Sequence, residues 1–549
     1  MIQLLLAAAI LSPLILALAL GVQRWRPRLL PLLPWSALPA LLSVVLVPLE
    51  SRLEWPGVLL GQSFVLDEMG RLFLLLSALL WFTSGLFARS ALRDDPHQTR
   101  FSLFWLLAMS GNFGLLLAAD TAGFYLFFTL MSFSSWVLIF HSQSDSARQA
   151  GGVYLALVVL GEGLLLAGLL LAVGAADGAQ ELTLVRSGLA DSPWQGMTLA
   201  LLLAGFGIKA GLLPLHFWLP LAHTAAPVPA SAVLSGAMLK AGLFGWLRFL
   251  PLGEVALPGA GQLLLGLGLA GAFFGVVYGL AQRDSKAVLA YSSVSHMGLL
   301  SSLIGLVLWQ PWLWQPLLPV LLLYALHHAL TKGALFLTVG VARRAGVASP
   351  VLAVAVLLAL SLAGAPYTGG ALAKIALKSA LPGQLEWLVW SLALVASGTA
   401  LLMWHFLRVL LREKGIERVA REPRGLMWFG WSGLSLSALP GVWLAAPWLL
   451  PQLPGMALWS LLWPLLLALP AARLLWHYPL PRWPNGDLAA ACLNVVILRL
   501  RSGWRFRLPQ SPAVGWRWRL PPARPGGGRA AGIALALIGV ALYLAITMR

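Results

Sequence analysis

Five lysines, Lys209, Lys240, Lys332, Lys374 and Lys378, lie within long apolar stretches of the chain. A charge at the middle of a bilayer costs at least about 2.5–3.5 kcal/mol on insertion scales. An amine can shed its proton and escape that cost, because desolvation favours its neutral form; a guanidinium cannot. The chain holds 30 arginines and only seven lysines, yet no arginine falls deep in an apolar stretch, and of 19 acidic residues only Glu162 does. Fixed positive charge could come from either basic residue. Loading and releasing protons requires lysine. Snorkelling or pairing accounts for one or two such residues, not for five.

Other groups fit the same chemistry. In "YALHHALTKGALF", residues 324–336, Tyr324, His328 and Lys332 are four apart and stack along one helix face. All three can order water or pass protons, and histidine titrates near neutrality. His327 points to another face. His141, His296 and His405 read as packed, hydrogen-bonded residues. Lys374 and Lys378 are one turn apart and repel if both are charged. Glu162, between Gly161 and Gly163, reads as a counter-ion or proton site, or as a neutral buried acid.

Two stretches break the helices that carry these groups. In "GIKAGLLPLHFWLPLAH", residues 207–223, Pro214 and Pro220 follow Lys209. In "LAGAPYTGGALAKIALKSAL", residues 362–381, Gly364, Pro366, Gly369 and Gly370 precede Lys374. Proline removes a backbone donor. Backbone freed inside a membrane must face protein or a water-lined cavity. Two interrupted helices with a lysine at each break are the expected trace of a transporter built from two structural repeats.

The elements positioning these residues follow from composition. The 549 residues are 59% hydrophobic and 10% charged, far below the roughly 25% charge of a soluble domain. Apolar runs long enough to span a bilayer recur from end to end. They predict an all-α polytopic membrane bundle of about sixteen transmembrane helices, from 2–22 to 530–548. The first run reads as a retained helix rather than a signal peptide. Loops after odd-numbered spans hold 27 lysines and arginines; the opposite side holds five. The positive-inside rule then puts the odd loops in the cytoplasm and the N-terminus outside, in a cell inner (plasma) membrane. The net charge of +18 is therefore an orientation signal and an attraction for anionic lipid, not a nucleic-acid surface. Residues 488–502 could form an amphipathic helix on the cytoplasmic face.

"GIKAGLLPLHFWLPLAHTAAPVPASAVLSGAMLKAGLFGWLRF", "DSKAVLAYSSVSHMGLL" and "HHALTKGALFLTVG" resemble the antiporter-like membrane subunits shared by respiratory complex I (NADH:quinone oxidoreductase), membrane-bound hydrogenases and multisubunit Na+/H+ antiporters. The resemblance covers roughly residues 100–410. It implies two inverted five-helix repeats, residues 101–250 and 251–410. N-terminal helices over 1–100 and a C-terminal part over 411–549, with a basic segment and a last span, would flank them. By the resemblance, Lys209 loads the proton, Lys240 passes it inward, Lys332 with His328 connects the halves, and Lys374 is the exit. His216 and His223 sit in the motif around the first break. By the resemblance the fifth span usually carries a glutamate paired with the first lysine; here "FYLFFTLMSFSSW" places Thr129 there, and either Glu162, one span later, has taken over that role, the favoured reading, or coupling is weakened or lost.

Three functions fit: a proton-translocating subunit of a larger membrane complex, a Na+/H+ antiporter module, or a structural subunit that no longer conducts. One cysteine, Cys492, cannot hold an iron–sulfur cluster or an internal disulfide. There is no dinucleotide fingerprint, Walker loop or metal cluster in the sequence. No cofactor is expected, and any redox chemistry belongs to partner subunits.

Overall fold

A computed structural model describes residues 2–57, 61–345, 347, 349–413, 425–450, 452, 454–455, 457–478, 480–481 and 483. The last span, the segment 488–502 and Cys492 lie outside the described residues. Among those described, eleven helices are long and apolar enough to cross a membrane, and a pair bent by 61°, Gln23–Leu32 with Pro34–Leu46, makes a twelfth if counted as one span. The bend falls where Pro27, Pro31, Pro34 and Pro39 interrupt the backbone ladder. The chain is an all-α polytopic membrane bundle; the described residues do not confirm the count of sixteen, since broken helices fall short of spanning length and the last predicted span lies outside them.

Two runs of five elements occupy the middle. The first comprises Gln98–Leu117, Thr121–Ile139, Asp145–Ala175, a helix broken into Gln195–Ala210 and Trp218–Ala225, and Val228–Phe249. The second comprises Pro258–Leu280, Ser285–Trp309, Pro311–Ala345, a helix broken into Ser349–Ala363 and Gly369–Ala380, and Gly383–Arg412. In each run the fourth element is the broken one. The central stretches of Val228–Phe249 and Pro311–Ala345 are predominantly apolar and buried on every side, with Ser285–Trp309 nearly so. Such helices form the centre of a bundle. Ile2–Ala19 and Leu458–His477 are mostly exposed and form its rim.

The exception to helix is a hairpin of Ser51–Trp55 against Gln62–Leu66, with Ser51 opposite Leu66. Asp120, the N-cap of Thr121–Ile139, ties the hairpin down by accepting from the Ser63 N–H at 2.8 Å.

Several charged residues at the helix ends are paired. Asp67 caps Glu68–Ala91 and receives both terminal nitrogens of Arg248, at the end of Leu239–Phe249. At the other ends of the central helices, Arg343 bonds Asp284 at 2.8 Å and Glu413 at 2.9 Å. Glu413 also accepts from the Ser285 N–H and hydroxyl. That network clamps three helix termini together.

Burial alone would push the Asp67 carboxyl up. The Arg248 guanidinium, by hydrogen bond and charge, and the Gly70 N–H prevail and hold it below 3.8. A carboxyl with a depressed pKa contributes stability that is full above its unfolded value and is lost as pH falls through its folded value. Asp67→Asn is therefore expected to lower unfolding stability by about 2 kcal/mol at neutral pH. Followed by tryptophan fluorescence in detergent, the difference from wild type should vanish as pH drops below 3.8.

Candidate functional site

Lys209 lies in the last turn of Gln195–Ala210, where a helix terminus favours a cation. The helix ends because Gly211 adopts φ +72°, a left-handed conformation that glycine takes without strain. Trp218, beyond the break, donates its indole N–H to the Ile208 carbonyl at 2.8 Å. The Lys209 ammonium donates to the Tyr154 hydroxyl at 3.0 Å and the Ser132 hydroxyl at 3.1 Å, and lies 5.6 Å from the Tyr154 ring.

Glu162, on Asp145–Ala175 two turns after Tyr154, is 6% exposed. Its carboxylate accepts from the Thr129 hydroxyl at 2.6 Å. The Ser132 hydroxyl sits within reach of both Glu162 and Lys209. The acid of the sixth predicted span thus lies against the threonine at the fifth-span position, with a serine between it and the lysine.

The helices bearing Lys209 and Lys240 touch backbone to backbone. A side chain at Gly242 would meet the Ala210 amide. Lys240 is 1% exposed and donates to the Ser235 carbonyl at 2.7 Å. Ser235 belongs to a π-helical turn, Leu234–Met238, in which the Leu239 N–H reaches back five residues to the Leu234 carbonyl. Such a wide turn sets carbonyls off the regular ladder and is frequent at functional sites.

From there a hydrogen-bonded link crosses to the next lysine. The Ser235 hydroxyl meets the Ser293 hydroxyl at 3.0 Å, Ser293 donates to the Leu289 carbonyl at 3.1 Å, and Lys332 donates to that carbonyl at 2.7 Å. Lys332 is fully buried. His328, one turn before it, stacks on His296 at 4.8 Å, and His296 lies 6.0 Å from the Tyr324 ring. His296 bonds the Ser292 carbonyl as a packed histidine would, yet it also joins this cluster. His327 faces elsewhere, to the Ser361 hydroxyl at 3.1 Å. The ring nitrogens of His328, Ser292 Oγ and Thr331 Oγ1 are buried with no protein hydrogen-bond partner among the described residues. Buried polar atoms of that kind are served by water.

The cluster leads to the second break. Gly364 ends Ser349–Ala363 at φ +82°, and any side chain there would collide with Lys374. The Lys374 ammonium donates to the Ala363 carbonyl across the gap. Lys378, half-buried, donates to the Ser460 carbonyl at 2.9 Å. Both lysines line a cavity of about 30 Å³ with Tyr324 and Gly364, room for about one or two waters.

Two further residues were not legible in this role. Lys286, assigned to a loop by the charge count, is buried and donates to the Thr224 and Ala226 carbonyls at 3.0 and 2.7 Å. It docks the second half of the first broken helix. His223, fully buried against Phe336 at 4.6 Å, lies in the electrostatic reach of Lys240, Lys286 and Lys332. Only the histidine-containing motif hinted at it. His405 is packed as read, bonding the Gln282 carbonyl at 2.8 Å. His141 bonds Asp95 at 3.0 Å.

The family described as "NADH:quinone oxidoreductase/Mrp antiporter, TM" matches residues 118–402. Hydrogenase-4 component B of Escherichia coli (strain K12) is 33% identical over 305 residues, which cover 54% of this chain and 45% of that one. The chain therefore spans less than half of that relative. Among solved structures, the Mrp complex from Dietzia sp. DQ12-45-1b aligns with a TM-score of 0.70 at 21% identity, over 100% of this chain and 63% of that one. The archaeal membrane-bound sulfane sulfur reductase aligns at 0.68 and 20% identity, over 86% of this chain and 97% of that one. These likenesses show a common fold.

The Thr129–Glu162 contact generates a test by relocation. Glu162→Gln should cut ion movement through the reconstituted assembly by about a hundredfold. Adding Thr129→Glu to it returns a carboxylate to the same place and should restore a measurable part of the rate, read as flux into liposomes.

Proposed function

We propose, from the premise that this chain belongs to the NADH:quinone oxidoreductase/Mrp antiporter transmembrane family, that it is a proton-translocating membrane subunit of a larger complex. The observation that carries the reading is the company its amines keep. Lys209, Lys240, Lys332, Lys374 and Lys378 each donate to a hydroxyl or a backbone carbonyl, and none is in an ion pair among the described residues. The arginines Arg186, Arg248 and Arg343 all meet carboxylates. A carboxylate beside an amine would hold its proton in place. A carbonyl accepts from an ammonium or from a neutral amine, so the proton can come and go without stranding a buried charge.

The path runs from the cytoplasm to Lys209, with Glu162 and Ser132 setting the local charge. It continues to Lys240, across the Ser235–Ser293 link to Lys332 and the His328–His296 pair, and leaves by Lys374 towards the outside. In a medium of low dielectric, loading one amine discourages loading the next. The proton therefore moves as a sequence of coupled steps between the two inverted repeats. A redox arm or an ion gradient in neighbouring subunits drives them. The basic loops face the cytoplasm of the inner membrane, where anionic lipid gathers.

Na+/H+ exchange is the second reading. The oxygens of Glu162, Thr129 and Ser132 converge at one buried point, the kind of hard-oxygen environment that Na+ takes. A non-conducting structural subunit fits least, since a bundle held together for packing alone gains nothing from buried amines without counter-ions.

Three outcomes are expected. Lys209→Ala should reduce proton uptake by liposomes containing the intact complex by about a hundredfold. Undiminished uptake would overturn the reading, and uptake that requires a Na+ gradient would select the second. Ser293→Ala, which breaks the serine link without touching an amine, should slow uptake by about tenfold. For orientation, Ser146→Cys in a Cys492→Ser background should react with an impermeant maleimide only from the cytoplasmic face.

A further inference from the structure

We propose that the groove at the end of helix Glu68–Ala91, between the bent segment Gln23–Leu46 and helix Gly425–Ala438, binds the headgroup of an anionic phospholipid. The groove is open, has a volume of about 610 Å³, and is lined by Leu30, Arg89, Arg93, Gln98, Leu426 and Phe429 among others. It rests on the proposed function only for which leaflet supplies the lipid.

Among the described residues, no ion pair compensates the positive charge in the groove. Arg89, in the last turn of Glu68–Ala91, and Arg93, in the turn just past its end, both line the groove. Their charges act against each other, and among the described residues neither meets a carboxylate within 4.0 Å. At two other helix ends, Arg248 and Arg343 do meet carboxylates. The nearby Asp95 does not serve them, because its carboxylate is taken by His141 and by the His97 N–H. Two repelling guanidiniums in a concavity fit a phosphodiester, which each can bind with two parallel hydrogen bonds.

The rest of the lining asks for more than phosphate. Leu30, Leu426 and Phe429 give the groove an apolar wall, and Phe429 is 69% exposed. Leu32 and Trp35 continue the exposed apolar surface along the bent segment. The groove thus has cationic donors at its head and an apolar track leading away along helices of membrane-spanning character. Free phosphate satisfies only the first part. An acidic peptide satisfies the charge but leaves the apolar wall wet. A phospholipid with a net negative headgroup satisfies both, and basic pockets between transmembrane helices are where such lipids lodge.

The test uses the intact complex, purified in mild detergent after incubation with phosphatidylglycerol or phosphatidylcholine, and native mass spectrometry to count retained lipid. Wild type should retain phosphatidylglycerol in preference to phosphatidylcholine, and inorganic phosphate should not displace it. Retention should fall about fivefold in Arg93→Gln and about twentyfold in Arg89→Gln/Arg93→Gln, as expected of two surface cations. Arg148→Gln, exposed on the same proposed side of the membrane, should leave it unchanged. Retention that survives the double substitution, is equal for both lipids, or is displaced by inorganic phosphate would overturn the proposal. So would loss in Arg148→Gln as large as in Arg93→Gln. Arg93 is exposed, so the single variant reads the groove even if the double variant assembles poorly. Retention does not depend on which side the groove faces, so a failed maleimide experiment would leave this outcome standing.

Discussion

An ammonium in a protein interior must be held by something, and the choice of holder decides what the site can do. Desolvation penalises the charge. A carboxylate relieves the penalty but fixes the proton. A carbonyl or hydroxyl relieves less of it and leaves the proton free to leave. Along the middle of this bundle every amine takes the second kind of partner. The architecture follows from supplying those partners where regular helices offer none. An α-helix interior keeps its carbonyls for its own amides. Acceptors are freer at a helix end, a break or an irregular turn, although Lys332 shares the Leu289 carbonyl within helix Ser285–Trp309. The structure provides them at Ala363, beside the second break, and at Ser235, in the π-helical turn.

The two breaks solve the same problem differently. At the first, Trp218 takes the freed Ile208 carbonyl and leaves the Lys209 ammonium to the hydroxyls of Ser132 and Tyr154. At the second, Lys374 itself takes the freed Ala363 carbonyl. The first lysine is thus held by side chains that can rotate, and the last by a piece of backbone that cannot. Charge pairing is kept to the periphery, where Asp67–Arg248 and the Arg343 cluster tie helix ends together without lying among the buried amines.

Much of this was legible in the sequence, for a physical reason. Spans, breaks and buried lysines are properties of a single segment: a run of apolar residues, a proline or glycine cluster, an amine where none is cheap. Lys209, Lys240, Lys332 and His328 announce themselves that way. What the sequence hid are meetings between segments. In the sequence, Thr129 and Glu162 are linked only as a missing acid and its expected replacement; that the two side chains touch, at 2.6 Å, is visible only once the helices are packed. Ser235 and Ser293 are ordinary serines 58 positions apart, and nothing in their local pattern marks a bridge. Lys286 follows a polar run and counts as a loop residue, although it is buried against the first broken helix. The π-helical turn and the small hairpin leave no hydropathy signal.

Lys374 is the splice across a severed helix, its side chain filling the space that Gly364 leaves clear. A charged donor makes a hydrogen bond roughly twice as strong as a neutral one. The splice therefore stiffens when the amine is loaded and slackens when it empties. On the proposed function, an electrical event at that joint is also a mechanical one: a proton taken up or lost by the amine changes how firmly the two halves of the rod are fastened.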